Sequence, residues 1–271
     1  MSDTQDQPSM LRAARERTRA DITRQILDTA RRHLATDGAS GLSLRAIARE
    51  LGMSSSAVYR YVASRDDLLT SLTVAAYDAL GIAAEAQEAA VGRDDFFGRW
   101  SAVCNAVRAW AQSNPNEYAL IYGTPVPGYS APAATIEPAA RVTNLLLGIL
   151  VDAAAAERLA PAIVDDEVAP DHREALVPVR AVVPPQVPDA LLQRGLMTWA
   201  ALFGTVSFEL FGQVDHVVSE ESGDRDAFFA ECVRRWATQV GIASNKTNIE
   251  EHGGNTTGAR QERLGRLDET T

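Results

Sequence analysis

The segment Ser43–Leu69, SLRAIARELGMSSSAVYRYVASRDDLL, constrains this chain more than any other, because its spacing describes two short helices joined by a tight turn. Leu44, Ile47, Ala48 and Leu51 recur at i, i+3, i+4 and i+7, the apolar stripe of one helix. Gly52 follows at once, where a helix end favours a residue free to take a positive φ. Ser54, Ser55 and Ser56 then offer N-caps for a second helix running through Tyr61. Ala48 is small where the two helices must approach, and Val58 supplies the apolar knob of the second. The pattern reads as a helix-turn-helix, whose second helix is shaped for the major groove of DNA; the competing reading is an ordinary αα-corner of a bundle. A core corner has no need of the outward polar face that this second helix carries, which favours the former.

Flanking segments extend the pattern. A first helix, ADITRQILDTARRHLATDG, is expected from about Arg19 to Asp37, with Ile22, Ile26, Leu27, Ala30 and Leu34 inward and Gly38 as its stop. Ser64 and Asp67 form a capping box that opens a further helix through Leu68, Leu69, Leu72 and Tyr77. With these flanks, residues 20–69 resemble the DNA-binding domain of the TetR (tetracycline repressor) family of bacterial transcription regulators. The run G-M-S-S-S-A-V-Y-R-Y-V, followed by S-R-D-D-L-L, carries most of the resemblance. Tyr61 stands where the family often has His and Val62 where it often has Phe, and both keep the role of the position. The resemblance implies an all-α protein: an N-terminal three-helix DNA-binding domain and a larger helical-bundle domain for ligand binding and dimerisation. Residues 1–17 are then expected to be a disordered arm, 18–69 the DNA-binding domain, 70–243 the ligand-binding and dimerisation domain, and 244–271 a disordered tail.

The net charge of −10 looks wrong for a DNA binder until it is divided. Residues 1–70 hold eleven Arg against nine acidic residues, a balance of +2, so the remaining residues carry −12. That split suits a basic reading head on an acidic body, which phosphates would repel. Cys104 and Cys232 lie far apart in apolar helical contexts and read as free thiols of a reducing compartment. The N-terminus lacks an apolar leader segment, and the run LLLGILVDAAAA from Leu145 is interrupted by Asp152 and too short to span a bilayer. The expectation is a soluble cytoplasmic protein with no membrane partner, no metal and no cofactor.

Beyond residue 93 the periodicity stays helical, with helices expected at about 94–113, 116–122, 134–158, 189–213 and 224–242. GTPVPGYSAP at 123–132 is a connection, and the Pro-containing stretch 161–188 is either a flexible insertion or a lid over a cavity. The four histidines are scattered, and no phosphate-binding or nucleophile motif is present. DDEVAPDH at 165–172 clusters carboxylates with a His, but in a Pro-rich stretch it reads as a solvated charge run. The chain is not expected to be an enzyme.

Transferring the family's pattern, Ser55, Ser56 and Arg60 are the base-edge candidates, with Ser54 at the same helix end. Arg60 is the sharpest, because a guanidinium binds guanine O6 and N7 in a bidentate manner. Tyr59 and Tyr61 resemble the family's phosphate-contacting pair, Arg65 its basic anchor, and Ser43 with Arg45 could hold another phosphate. Each has a structural alternative: Tyr61 as a plug of the small core, Arg60 as a solvated surface residue. Arg12, Arg15, Arg17 and Arg19 are either a solvated tail or a minor-groove arm.

One such head reads few base pairs, so the resemblance implies a homodimer on a pseudo-palindromic double-stranded DNA operator, paired as a four-helix bundle through helices 189–213 and 224–242. Leu191, Leu192, Leu196, Trp199, Ala200, Phe203 and Val206 line one side of the first, and Phe228, Cys232, Trp236 and Val240 the second. NPNEYALIYGTPVP and TWAALFGTVSFELFG resemble a recurring subtype of the family's sensor domain, with Trp199, Phe203 and Gly204 as a W-x3-(H/F)-G motif. There Gly204 would allow close helix approach while Trp199 and Phe203 face a cavity. Phe97, Trp100, Trp110, Tyr118 and Tyr122 are the further ligand-binding candidates; the alternative for each is plain core packing. Phe203 in place of His points to an apolar pocket. The function implied is a repressor released by a small apolar or amphipathic effector; the alternative is a ligand-independent regulator, or an activator working through a protein partner.

Overall fold

The computed structural model describes residues 7–160, 168–181, 183–185, 187–215, 217–218 and 222–243, and of residues 7–11 and 222 the backbone alone. The chain is all-α: among the described residues the only β-type pairing is one isolated bridge, Leu159 with Ile242. α1 (Gln7–Gly41) begins well before Arg19 and breaks at Gly38, whose φ of 68° is open to glycine at little cost. Residues 7–17 are therefore helix, where a disordered arm was expected. Ala, Arg and Glu favour helix there without an apolar stripe to reveal it, and Arg12 pairs with Glu16 one turn on at 3.1 Å. Residues 1–6 lie outside the described residues.

α2 (Leu44–Glu50) is capped by Ser43, whose Oγ accepts from the Ala46 N–H at 3.4 Å. Gly52 makes the turn with φ 64°. α3 (Ser55–Val58) is capped by Ser54, which accepts from Ala57 N–H at 3.2 Å. Regular helix ends at Val58, sooner than expected, and hydrogen-bonded turns carry the chain through Tyr61 to Val62. α4 (Arg65–Ala89) starts at the Ser64 cap, where the Asp67 N–H donates to Ser64 Oγ at 3.0 Å. Ile26, Ala30, Leu34, Ile47, Ala48, Val58, Leu68 and Leu69 close a small aliphatic core between these four helices. Each such fully buried side chain contributes roughly 1.5–3 kcal/mol for the larger aliphatics.

α4 runs on without a break into the body, where it lies against α5 (Phe96–Ser113) and α7 (Ile136–Ala155). α6 (Pro115–Tyr122), α8 (Pro170–Ala175), α9 (Val177–Arg180), α10 (Asp189–Leu210) and α11 (Ser222–Gln239) complete it. Its core joins Leu80, Trp100, Val103, Val107, Tyr118, Ile149, Leu202 and Phe229. Buried Cys104 has its thiol pushed well up by desolvation, and both cysteines are free. Three arginine centres tie the helices: Arg99, 2% exposed, reaches Glu88 at 2.5 Å and Asp152 at 2.8 Å; Arg141 reaches Asp78 and Glu85, each at 2.7 Å; Arg108 reaches Glu209 at 2.6 Å and Asp226 at 2.7 Å.

Three expectations need correction. The stretch from 168 to 188 is neither loose nor polar throughout: it forms α8 and α9 and buries Val168, Leu176, Val183 and Val187, while residues 161–167 lie outside the described residues. Leu191, Leu192, Phe203, Val206, Trp236 and Val240 are buried within the protomer, so most of the stripe assigned to the dimer is intrachain core; the two long helices bury one side here and have another to offer. Finally, Arg65–Ala89 and Ala133–Ala155 are long and apolar enough to cross a membrane by length and composition, because the Leu145 run belongs to a longer helix. Both serve here as bundle helices, strapped together by Arg141. The tail 244–271 lies outside the described residues.

Candidate nucleic-acid interface and sensor region

The capped end of α3 presents Ser54, Ser55 and Ser56 to solvent, and Tyr59 and Arg60 are exposed just beyond it. Arg45 is exposed on α2, and Ser43 is half-buried with its Oγ engaged as a cap. Ser54 Oγ lies 3.1 Å from Ser56 Oγ as well as capping, so its first role is to hold the helix end. Two arginines act on the head itself. Arg65 Nη2 donates to the carbonyls of Ala39 at 2.8 Å and Ser40 at 3.4 Å, tying the start of α4 to the end of α1. Arg19 lays its guanidinium over the Tyr61 ring, 5.5 Å from the centroid, and donates to the Arg60 carbonyl at 3.4 Å. Tyr61 is half-buried against the head core, so it is at least in part the plug that the sequence left open. The bracing by Arg19 spans 41 positions and leaves no local trace in the sequence.

The head is joined to the body by more than α4. Leu120 from α6 and Val126 and Tyr129 from the following connection pack on the head core, and Tyr129 Oη lies 3.1 Å from Thr70 Oγ1. Beside this joint an open cleft of about 840 Å³ runs between the end of α1, α6 and the last turns of α10, and no ionisable acid or base lines it apart from the Tyr122 phenol.

The seven aromatic candidates do not line one pocket. Trp100 and Trp199 line a small apolar cavity of about 30 Å³ together with leucines of α7 and α10. Phe203 does not reach it: it stacks between Trp199, 5.7 Å away, and Tyr122, 4.3 Å away. Tyr118 is fully buried, its hydroxyl donating to the Phe203 carbonyl at 3.1 Å and lying 3.0 Å from Ser207 Oγ. Burial pushes its phenol up to about 12, and pushes Tyr122 higher still. Trp110 belongs to a separate groove between α4 and α5, and Phe97 packs half-buried against the core. A Cβ at Gly204 would meet nothing within 4 Å, so no helix of the same chain approaches closely there. Gly204 lies instead on an outward stripe of α10 with Met197 (54% exposed), Ala201, Phe208 (57%) and Phe211, and Phe228 is exposed on α11.

Residues 26–72 match the family model described as bacterial regulatory proteins, tetR family, and residues 100–236 match the model of the tetracyclin repressor-like C-terminal domain. The HTH-type transcriptional regulator Rv1816 of Mycobacterium tuberculosis strain H37Rv is 41% identical over 201 residues, covering 73% of this chain and 85% of its own length. Among solved structures, the regulatory protein SCO4313 is 32% identical with a TM-score of 0.66, the match covering 82% of this chain and 98% of that one. A tetR-family regulatory protein of Rhodococcus RHA1, at 18% identity and TM-score 0.52 over 82% of this chain and 98% of its own, shares the fold.

Proposed function

Since the chain belongs to the TetR family and is a DNA-binding transcriptional regulator rather than an enzyme, we propose that it is a repressor that binds a pseudo-palindromic operator as a homodimer and leaves it when a small effector enters the body. The observation that carries this reading is the contrast on α10: one face is buried in the protomer while Met197, Ala201, Gly204, Phe208 and Phe211 form an apolar stripe left outside. Large apolar residues gathered on one exposed face mark an association surface, and the small Ala201 and Gly204 leave room for a partner helix. With Phe228 of α11 this stripe would form the four-helix pairing, setting two heads about 34 Å apart on one side of a duplex.

Within each head, Ser55, Ser56 and Arg60 would meet base edges, and Tyr59, Ser43 and Arg45 would hold phosphates. Tyr61 and Arg65 act chiefly by holding α3 and α4 in place, because their packing and hydrogen bonds go to the head itself. The effector would be uncharged and largely apolar, acting in the cytoplasm where the chromosome is. Turning a mostly bound regulator into a mostly free one takes about 5.5 kcal/mol of differential affinity.

Fluorescence anisotropy with the DNA flanking its own gene, across a salt series and against unrelated competitor, tests the reading. The expected outcome is competitor-resistant binding by two protomers per site, with affinity falling steeply as salt rises. Binding by single protomers, or with no preference over competitor, would overturn it. Retention of binding across an uncharged effector library, together with promoter activation, would favour the ligand-independent alternative.

A further inference from the structure

Trp100 and Trp199 share more than a cavity wall: the indole N–H of each is buried with no hydrogen-bond partner. An unpaired buried donor is costly, and two of them beside one void call for an acceptor that the chain does not provide. The rest of the wall is leucine from α7 and α10, with Gly195, Val179 and the Thr143 hydroxyl. No ionisable side chain lines it, so an ion entering would lose its hydration without gaining a counter-charge. A water molecule would find few of the two to four polar partners it needs.

We infer that this cavity is a site for an uncharged, mainly apolar small molecule carrying a hydrogen-bond acceptor of the ketone or ester carbonyl type, which the two indole N–H groups recognise. The inference rests on the effector reading above and gives that effector its chemistry. At about 30 Å³ the void holds little more than the acceptor group, so the ligand's body must displace part of the wall. α9 is the part able to yield. It is one turn long and contributes Val179, and it is pinned by a single side chain: Arg180 donates to the Val187 carbonyl at 2.7 Å and to the Asp189 carboxylate at the start of α10. The remaining wall belongs to α5, α7 and α10, each eighteen residues or longer. The cavity also has a route outward, since Trp199 touches Phe203, which stacks on Tyr122 at the cleft beside α1.

The test uses the full chain and two probes of nearly equal shape, acetophenone and isopropylbenzene, which differ in the carbonyl. Tryptophan fluorescence follows binding, and anisotropy of labelled DNA follows release in the same samples. Wild type should prefer acetophenone about tenfold, the scale of one otherwise unmade buried hydrogen bond. Trp199→Phe and Trp100→Phe, each leaving one indole to report, should reduce that preference. Gly195→Leu fills the void, where a Cβ meets only Leu150 Cδ1 at 3.4 Å; it should abolish binding of both probes and leave DNA binding intact. Arg180→Ala should speed acetophenone entry several-fold.

Equal affinity for the two probes would overturn the acceptor, and binding that survives Gly195→Leu, or no binding to wild type at millimolar probe, would overturn the site. An unchanged entry rate in Arg180→Ala would overturn the role of α9. Failure of the wider reading looks different: DNA binding absent without any probe, or acetophenone bound at this site with no release of DNA.

Discussion

In the DNA-reading head the buried surface is small and aliphatic, and nearly all its hydrogen-bonding capacity is settled locally: Ser43, Ser54 and Ser64 each cap the helix that follows, and Arg19 and Arg65 brace the remaining ends. In the body the core is large and aromatic, and helices are tied by arginines that reach carboxylates far away in sequence. The unengaged polar groups also differ in place. The head offers its own outward, on α3, where DNA can meet them; the body keeps two indole N–H groups inside, where only a molecule that enters can. A surface that reads a polymer must be preformed and exposed, whereas a sensor gains from a vacancy that costs something until it is filled.

The largest expected effect that would sharpen this comparison is in the body. Glu88→Ala leaves the Arg99 guanidinium buried with one partner fewer and should lower stability by about 3–5 kcal/mol in urea unfolding. A loss below about 1 kcal/mol would remove the arginine centres from the list of what holds the body together. Next, Arg60→Ala should weaken operator binding by about 1–3 kcal/mol with relaxed preference at a single base position. A uniform loss over all sequences would move Arg60 from base edge to phosphate. Ser54→Ala should cost the head about 1 kcal/mol, read as faster amide exchange confined to α2 and α3. Equal loosening in the body would mean that the two regions do not unfold separately.

Acid gives the smallest effect. Glu50 in the head is held below its ordinary value of 4.5 by hydrogen bonds from Arg32 and His33, and Glu85 in the body by those from Arg141. A carboxyl lowered in the folded state favours folding above 4.5, and that contribution is lost as pH falls through the lowered value. Helical signal followed from about pH 6 to 3 should therefore hold until below 4.5 and then decline, earlier in the Arg141→Ala variant.

What the residues disclosed in advance follows the same division. The head was legible because its signals are local: an apolar stripe, a glycine and three serines at helix starts say where each element begins. Its N-terminal extension was not, since residues 7–17 have helical propensity without an apolar face to betray it. In the body the helices could be placed from periodicity, but not what each aromatic side chain faces. Trp100 meets Trp199 across a cavity that neither helix defines alone, and Phe203, assigned to that cavity by motif spacing, stacks beside it. The outward stripe of α10 was hidden for a related reason: the helix is apolar on two sides, and sequence alone does not say which side folds inward.

The single span of α4 turns chemistry in one region into displacement in the other. Arg141 grips it at Asp78 and Glu85, and everything from Asp78 back to Arg65 projects from that grip toward the head. The arrangement is a lever with its fulcrum partway along: at 1.5 Å per residue the free arm is about 20 Å, so a swing of about 10° moves its end by roughly 3.5 Å. That exceeds the length of the hydrogen bonds by which a side chain reads a base edge. A change that hardly disturbs the packing of the body is thus large at the groove, and in a symmetric pair it occurs twice.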